Sequence, residues 1–265
     1  MGEAVANDGW WGVRAADWAE VQQKTIRPAS LAVLEQLRLR PDDPILDIGC
    51  GEGNFSHLAR ERGARVTGVD ACPELVEIAQ QNTPSGDFRV GNMENLPFPD
   101  SSFSSVTAFN SLHFAGDPIR AIAEAVRVMR PDGAMALAAW GPPHECDSIT
   151  YLVDLGGLMP PPLSIPQVDF DMTDIETLGD LVVRAGLSRS KTYVVECPWE
   201  YSDIDTALRG LLSTGPAAQA INYSGLAEVV DTITESIAPF RRDDGSYLME
   251  NTCHYLFAHS KPGVG

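Results

Sequence analysis

The chain has 265 residues, with 37 acidic side chains against 19 Lys plus Arg and a formal charge of −18. That charge excludes DNA, RNA and anionic membranes as natural partners, and no basic run offers a local exception. The length suits one large α/β domain with insertions and a sizeable core.

No basic-then-apolar leader opens the chain and no apolar stretch of about 18 residues follows, so nothing is expected to span a membrane. The five cysteines (Cys50, Cys72, Cys146, Cys197 and Cys253) are odd in number, far apart and without a C-x-x-C pair. This argues against a disulfide framework or zinc site and for a reducing, cytoplasmic setting.

Residues 1–24 are polar but carry Trp10, Trp11, Arg14 and Trp18. Adjacent tryptophans are costly to leave wet, so this segment either packs the first helix onto the core or forms a lid over a ligand. Pro28 to Leu39 reads as an amphipathic helix. Then comes Ile45-Leu46-Asp47-Ile48-Gly49-Cys50-Gly51-Glu52-Gly53-Asn54: an apolar strand end, an acid, glycines at alternate positions and a helix over 54–62. The next apolar run, Arg65 to Val69, ends in a second acid, Asp70. A helix over 73–81 follows, with Pro73 in its first turn and Glu74 complementing the dipole. Strands are predicted at 88–90 and 106–109, a helix at 118–129, and at 134–140 the nearly all-apolar run of a buried parallel strand. After Trp140 the alternation breaks. Gly141-Pro142-Pro143 and Met159-Pro160-Pro161-Pro162 bracket a loop with one short helix. A helix at 174–185 closed by Gly186, a strand at 190–197, helices at 206–212 and 225–237, and a final strand at 247–258 complete the chain.

Strand, glycine-rich turn, helix and a strand ending in a carboxylate make a nucleotide-type βαβ pocket. The glycine spacing selects the nucleotide. A dinucleotide site reads G-x-G-x-x-G; here the order is D-x-G-x-G-x-G. Asp47 would repel a pyrophosphate at the helix start, where anions are otherwise welcome. It suits a ligand with an ammonium or sulfonium and no phosphate, which describes S-adenosylmethionine (AdoMet). Asp47, Gly49, Cys50 and Gly51 are assigned to its methionine end and Asp70 to the ribose diol. Ala71 and Cys72 follow beside the adenine, with a core thiol as the alternative for Cys72. Asn110, at the end of the fourth strand, stands where doubly wound sheets bind ligands and would offer its carbonyl to the methionyl ammonium. From a lid, Arg14 or Trp18 would reach the methionine carboxylate or roof the substrate.

These motifs resemble the class I AdoMet-dependent methyltransferases over most of the chain, in particular the small-molecule enzymes related to those of quinone biosynthesis. Gly91-Asn92-Met93-Glu94-Asn95-Leu96-Pro97-Phe98 is similar to that family's adenine segment, Phe103 to Asn110 to its fourth strand, and Val126 to Gly133 to the turn before its fifth. The resemblance implies a Rossmann-like, doubly wound, seven-stranded sheet with an antiparallel last strand, plus helical cap insertions. It also implies Asn92 at the adenine amino group and Met93 on its face. Ser104, where the family often has Asp, and Asp132-Gly133, in place of Gly-Gly, depart from the pattern at positions that bear on stability.

The expected organisation is a single domain: a lid over 1–27, an AdoMet-binding half over 28–141, and acceptor-cap segments over 142–170 and 199–225. Aromatic residues in those parts, Trp11, Trp140, Tyr201 and Tyr223 among them, suit a flat or apolar small molecule. The implied activity is O-, N- or C-methylation of such a metabolite. The alternatives are AdoMet binding without transfer, or another use of AdoMet. His113, three residues past Asn110, is a general base or acceptor ligand, or else a packed loop residue; His144 and Glu145 could also reach in, as could Glu200. No His and carboxylate cluster has metal-ligand spacing, so no metal is expected, and the chain should be a monomer or homodimer.

Overall fold

The computed structural model describes residues 8–159 and 174–260. The chain opens with α1 (Asp8–Gly12) and α2 (Ala15–Glu20), and a 3-10 turn over Gln22–Ile26 runs into α3 (Arg27–Leu37). The predicted alternation follows: β1 (Pro44–Ile48), α4 (Asn54–Glu61), β2 (Arg65–Asp70), α5 (Pro73–Asn82), β3 (Asp87–Val90), β4 (Phe103–Phe109), α6 (Pro118–Val128) and β5 (Met129–Trp140). These five strands pair in parallel, in the order β3-β2-β1-β4-β5. β1 is buried at every position, as expected of a strand covered on both faces. On one face Ala29, Val33, Phe55, Leu58 and Val76 of α3, α4 and α5 pack against Ile45 and Ala136. On the other, α6 and α8 (Ile175–Arg184) contribute Ile122, Ala125, Leu178 and Val182 against Leu46 and Leu137.

Strand order reverses between β1 and β4, so their C-terminal ends flank a crevice. The glycine turn leaves β1 there, and Asn110 follows β4. β5 is longer than expected. Met129 already pairs with Phe103, and the register shifts before Ala134 pairs with Ser105; Asp132-Gly133 lies in that irregular stretch.

The last part of the sheet corrects the sequence reading in detail. The strand expected over 190–197 is two pieces, β6 (Leu187–Arg189) and β7 (Tyr193–Glu196), both antiparallel to β10 (Thr252–Ser260). They share one edge position because Ser190 joins them: its N–H donates to Phe257 O at 2.7 Å, and its Oγ accepts from Phe257 N at 3.0 Å. With β10 antiparallel to β5, the strands fill the places expected of a seven-stranded sheet with a reversed last strand. The final strand is likewise split. β9 (Tyr247–Met249) leaves the sheet and pairs with β8 (Trp199–Tyr201) as a separate ribbon. Between β9 and β10, buried Asn251 accepts from Ser148 N and donates to Met249 O, and Asp147 accepts from Glu250 N. Side chains there meet the hydrogen bonds that a continuous ladder would have met.

α7 (Ile149–Gly157), α9 (Ile204–Leu211), α10 (Gly215–Ser224) and α11 (Leu226–Ile237) stack with the β8–β9 ribbon around Tyr151, Leu155, Trp199, Leu211, Ile233 and Met249. α10, which opens on Gly215-Pro216, is not among the expected helices. Thr214 caps it and Pro216 occupies its first turn, where a proline is tolerated. Of the expected cap segment 142–170, residues 160–170 lie outside the described residues. Among the described residues no helix is long and apolar enough to cross a membrane.

Ile233 is fully buried at the centre of this helical layer. Ile233→Ala is expected to cost about 2–5 kcal/mol through the cavity it leaves, read as a lowered urea midpoint. An unchanged midpoint would mean that the layer is not a packed core.

Candidate cofactor and acceptor site

The turn after β1 is shaped by its glycines and gripped from both sides. Gly49, Gly51 and Gly53 all have left-handed φ, at 69°, 54° and 83°, a region costly for any residue with a Cβ. A Cβ on Gly49 would overlap Ser111, whose Oγ donates to Ile48 O at 2.8 Å. On the other side, Asp70 accepts from Gly51 N through one oxygen and from Cys72 N through the other, both at 2.9 Å. Gly49 N and Cys50 N donate to Val69 O at 2.7 and 3.1 Å. Above Gly51 the first atom met is Trp18 Nε1, 4.0 Å from where a Cβ would stand. Asp70 is half-buried at the edge of the turn, and the buried Nδ2 of Asn54 beside it has no protein partner. A glycine cradle, a carboxylate and an unmatched donor fit a ribosyl amino-acid ligand such as AdoMet.

Two further carboxylates lie under this turn. Asp47, expected to face the ligand's methionine end, is turned inward instead. It is 2% exposed and accepts from Thr107 Oγ1 at 2.9 Å and Ser56 Oγ at 3.0 Å, binding β1 to β4 and α4. The strand's alternation sends its side chain to the α4 face, where Ser56 and Thr107 take its oxygens. Burial lifts its carboxyl to about 6, against the lowering by Thr107 and Ser56. Glu52 is not among the expected site residues, yet it is 6% exposed and accepts from Trp18 Nε1 at 2.5 Å and Asn54 N at 3.3 Å. Burial lifts it to about 7. Its position between two motif glycines was the available signal. The Cys50 thiol is buried near Gly68 and pushed well up by burial, so only its backbone can serve the ligand.

The N-terminal segment lies down on the turn. Trp18 meets Glu52 and stands edge-on to Trp11 at 4.9 Å between centroids; Trp11 in turn meets Phe114 at 5.5 Å and packs on Gly215 of α10. Ala15 and Trp18 cover Cys72 and Leu75 of α5. Cys72 is therefore a buried thiol beneath the lid, its Sγ donating to Glu74 at 3.3 Å and its pKa raised by burial to about 11. Arg209 of α9 fixes the same segment to the cap, donating to Asp17 at 2.8 Å and Glu20 at 2.6 Å. Arg14 does not take the role expected of it. It pairs with Asp17 at 3.5 Å in an outer groove lined by Glu74, Glu77 and Gln81.

The remaining expected residues divide. Exposed Asn92 folds its Oδ1 back onto Glu94 N at 2.8 Å, and half-buried Met93 packs on the sheet core beneath it. Asn110 has φ 47°, and its Oδ1 accepts from Trp140 N at 2.8 Å, which leaves its backbone carbonyl at the strand end. Ala71 is half-buried next to Asp70. His113 lies in the short turn after Asn110, its ring 4.0 Å from that of Phe114 and so beside the lid. Trp140 leans on Trp199 of the cap at 5.4 Å. Others do not converge on this crevice. Tyr201 is a core residue of the cap, donating to Gln22 at 2.8 Å. Tyr223 is 62% exposed on α10, and the His144 side chain is 80% exposed. Glu145 accepts from Thr252 and His254, both at 2.7 Å, and these bonds lower its pKa, the opposite of what a general base needs. Glu200 faces Arg242 at 3.8 Å on the surface.

Two outcomes follow. Gly49→Ala should add about 1–3 kcal/mol of backbone strain before its overlap with Ser111, and Ser111→Gly should restore part of the loss in melting temperature. Glu52 holds its proton more tightly folded than unfolded, so its contribution is present below about 4.5 and is lost as pH rises through about 7. Stability of the ligand-free protein should fall across that window, by about 3 kcal/mol at most from this group; Glu52→Gln should flatten the fall in a pH series of urea titrations.

Residues 46–137, from β1 to late β5, match the methyltransferase domain family. The chain is 36% identical over 95 residues to a malonyl-[acyl-carrier protein] O-methyltransferase of Serratia marcescens, covering 36% of this chain and 37% of that protein. It is 31% identical over 140 residues to a ubiquinone biosynthesis O-methyltransferase of Xanthomonas campestris, covering 51% of this chain and 57% of that protein. The alignments thus span little more than half of these relatives at most. The YcgJ protein of Bacillus subtilis shares the fold, with a TM-score of 0.56 at 23% identity over 88% of this chain and 99% of that one. With the glycine turn and the reversed last strand in agreement, residues 46–137 resemble the methyltransferase domain family, and the fold as a whole is the one seen in the YcgJ protein.

Proposed function

We propose that the protein transfers the methyl group of AdoMet to an oxygen, nitrogen or carbon of a small aromatic or apolar metabolite. The observation that carries this reading is the glycine turn at the sheet's switch point, clamped by Asp70 and Ser111 inside the matched family segment. AdoMet supplies an electrophilic methyl on a sulfonium with a neutral thioether as leaving group. The protein's part is orientation, which in well-aligned reactions is worth roughly 7–11 kcal/mol.

In this reading Asp70 accepts the ribose hydroxyls, Asn92 and Met93 hold the adenine, and the Gly49–Gly51 backbone with the Asn110 carbonyl holds the methionine end. Trp18 and Trp11 cover the site. Trp11, Phe114 and Trp140 give the acceptor side an aromatic lining, which favours a flat acceptor. His113 lies in the turn after Asn110 and takes the proton that a hydroxyl or amine acceptor must lose.

The test is AdoMet consumption over phenols, indoles, amines and carboxylic acids, with the methylated product identified by mass. Binding of AdoMet without product on any acceptor would favour a binding protein, and consumption without a methylated product another use of AdoMet. On a hydroxyl acceptor, His113→Ala should lower kcat by on the order of 10²–10⁴ with AdoMet affinity unchanged. Wild-type kcat in that variant would make His113 a packed loop residue.

A further inference from the structure

We propose that Glu52 is a specificity-determining residue of the cofactor site: its buried carboxylate makes the closed turn prefer a sulfonium donor over the neutral thioether product. The inference rests on the AdoMet reading above and goes further, to which charge state of the ligand the site selects. Glu52 sits between Gly51 and Gly53 and is almost fully buried. Its described hydrogen-bond donors, the indole N–H of Trp18 and the backbone N–H of Asn54, are both neutral. No described ion pair reaches it, and Arg14, the lid's own cation, is turned to Asp17 in the outer groove. The titratable groups facing it add to its charge or are neutral: Asp47 from β1, and Cys50 in the turn itself, which Asp70 also faces.

A buried carboxylate without a cation is unfavourable, and the unfavourable charge is relieved by a cationic ligand. AdoMet and S-adenosylhomocysteine carry the same ribose, adenine, ammonium and carboxylate. Contributions from Asp70, Asn92 and the turn backbone therefore cancel in the ratio of their affinities, and the sulfur charge remains. In a partly buried site one such charge attraction is worth on the order of tenfold to a hundredfold in affinity. Trp18 places this selection under the lid, because the indole that covers Gly51 is also the one that fixes the Glu52 carboxylate.

The experiment is calorimetric titration of the full chain with AdoMet, S-adenosylhomocysteine and sinefungin, whose amine keeps a positive charge near the sulfur position. It is run at pH 8, above the value of about 7 to which burial lifts Glu52. Wild type is expected to bind AdoMet and sinefungin at least tenfold more tightly than S-adenosylhomocysteine. Glu52→Gln is isosteric and its amide oxygen can still accept from Trp18, so the fold and the lid contact are kept. It should lower the AdoMet to S-adenosylhomocysteine preference about tenfold while leaving S-adenosylhomocysteine affinity unchanged or higher. Trp18→Phe removes the hydrogen bond and keeps the charge; it should weaken both ligands and preserve the preference. An unchanged preference in Glu52→Gln, equal loss for both ligands, or a preference lost equally in Trp18→Phe would overturn the proposal. Binding of AdoMet and S-adenosylhomocysteine with equal affinity by the wild-type chain would overturn it while leaving the cofactor reading intact; binding of neither would overturn both.

Discussion

The grip of Asp70 on the Gly51 amide is the constraint from which the site is built. One carboxylate at the end of β2 accepts from the turn after β1 and from the start of α5. That fixes three elements at the crevice where strand order reverses. Ser111 closes the turn from the β4 side, so Gly49 has no room for a side chain. Both clamps come from strand ends that the parallel sheet already places together, so they position the site without mobile loops.

The same turn carries an electrostatic tension. Asp47 and Glu52 are buried within a short stretch of backbone, and burial raises both pKa values. A fold of this size could satisfy such groups with arginines, yet Arg209 and Arg14 are spent on the lid's outer acids. Sites that bind a charged reactant are often left electrostatically unfavourable in its absence, and the stability given up there is recovered on binding.

Lid and cap behave as one covering layer. Trp18 touches the turn, Trp11 packs against α10, Gln22 accepts from Tyr201 and Arg209 holds Asp17 and Glu20. Residues 11–22 thus link the glycine turn to the cap, beside the contact of Trp140 with Trp199. The cap has its own apolar core around Ile233 and Leu211.

Local sequence was enough to specify the alternating half of the chain from β1 to β5. The glycine spacing demands left-handed backbone, the apolar runs demand buried parallel strands, and the acids at strand ends mark the turn; each is a short-range rule acting within about ten residues. Even the capped helix 174–185, with Asp174 accepting from Glu176 N and Thr177 N, followed such rules. Contacts across long separations decided the rest. The direction of Asp47 depended on Thr107, the place of Glu52 on Trp18, and the removal of Tyr201 and Glu145 from the acceptor side on Gln22, Thr252 and His254. An aromatic or a carboxylate reads the same in sequence whether it lines a pocket or fills a core. Only packing between segments 30 to 180 residues apart separates the two, because that packing sets which side of the backbone is dry and which polar partner is within reach.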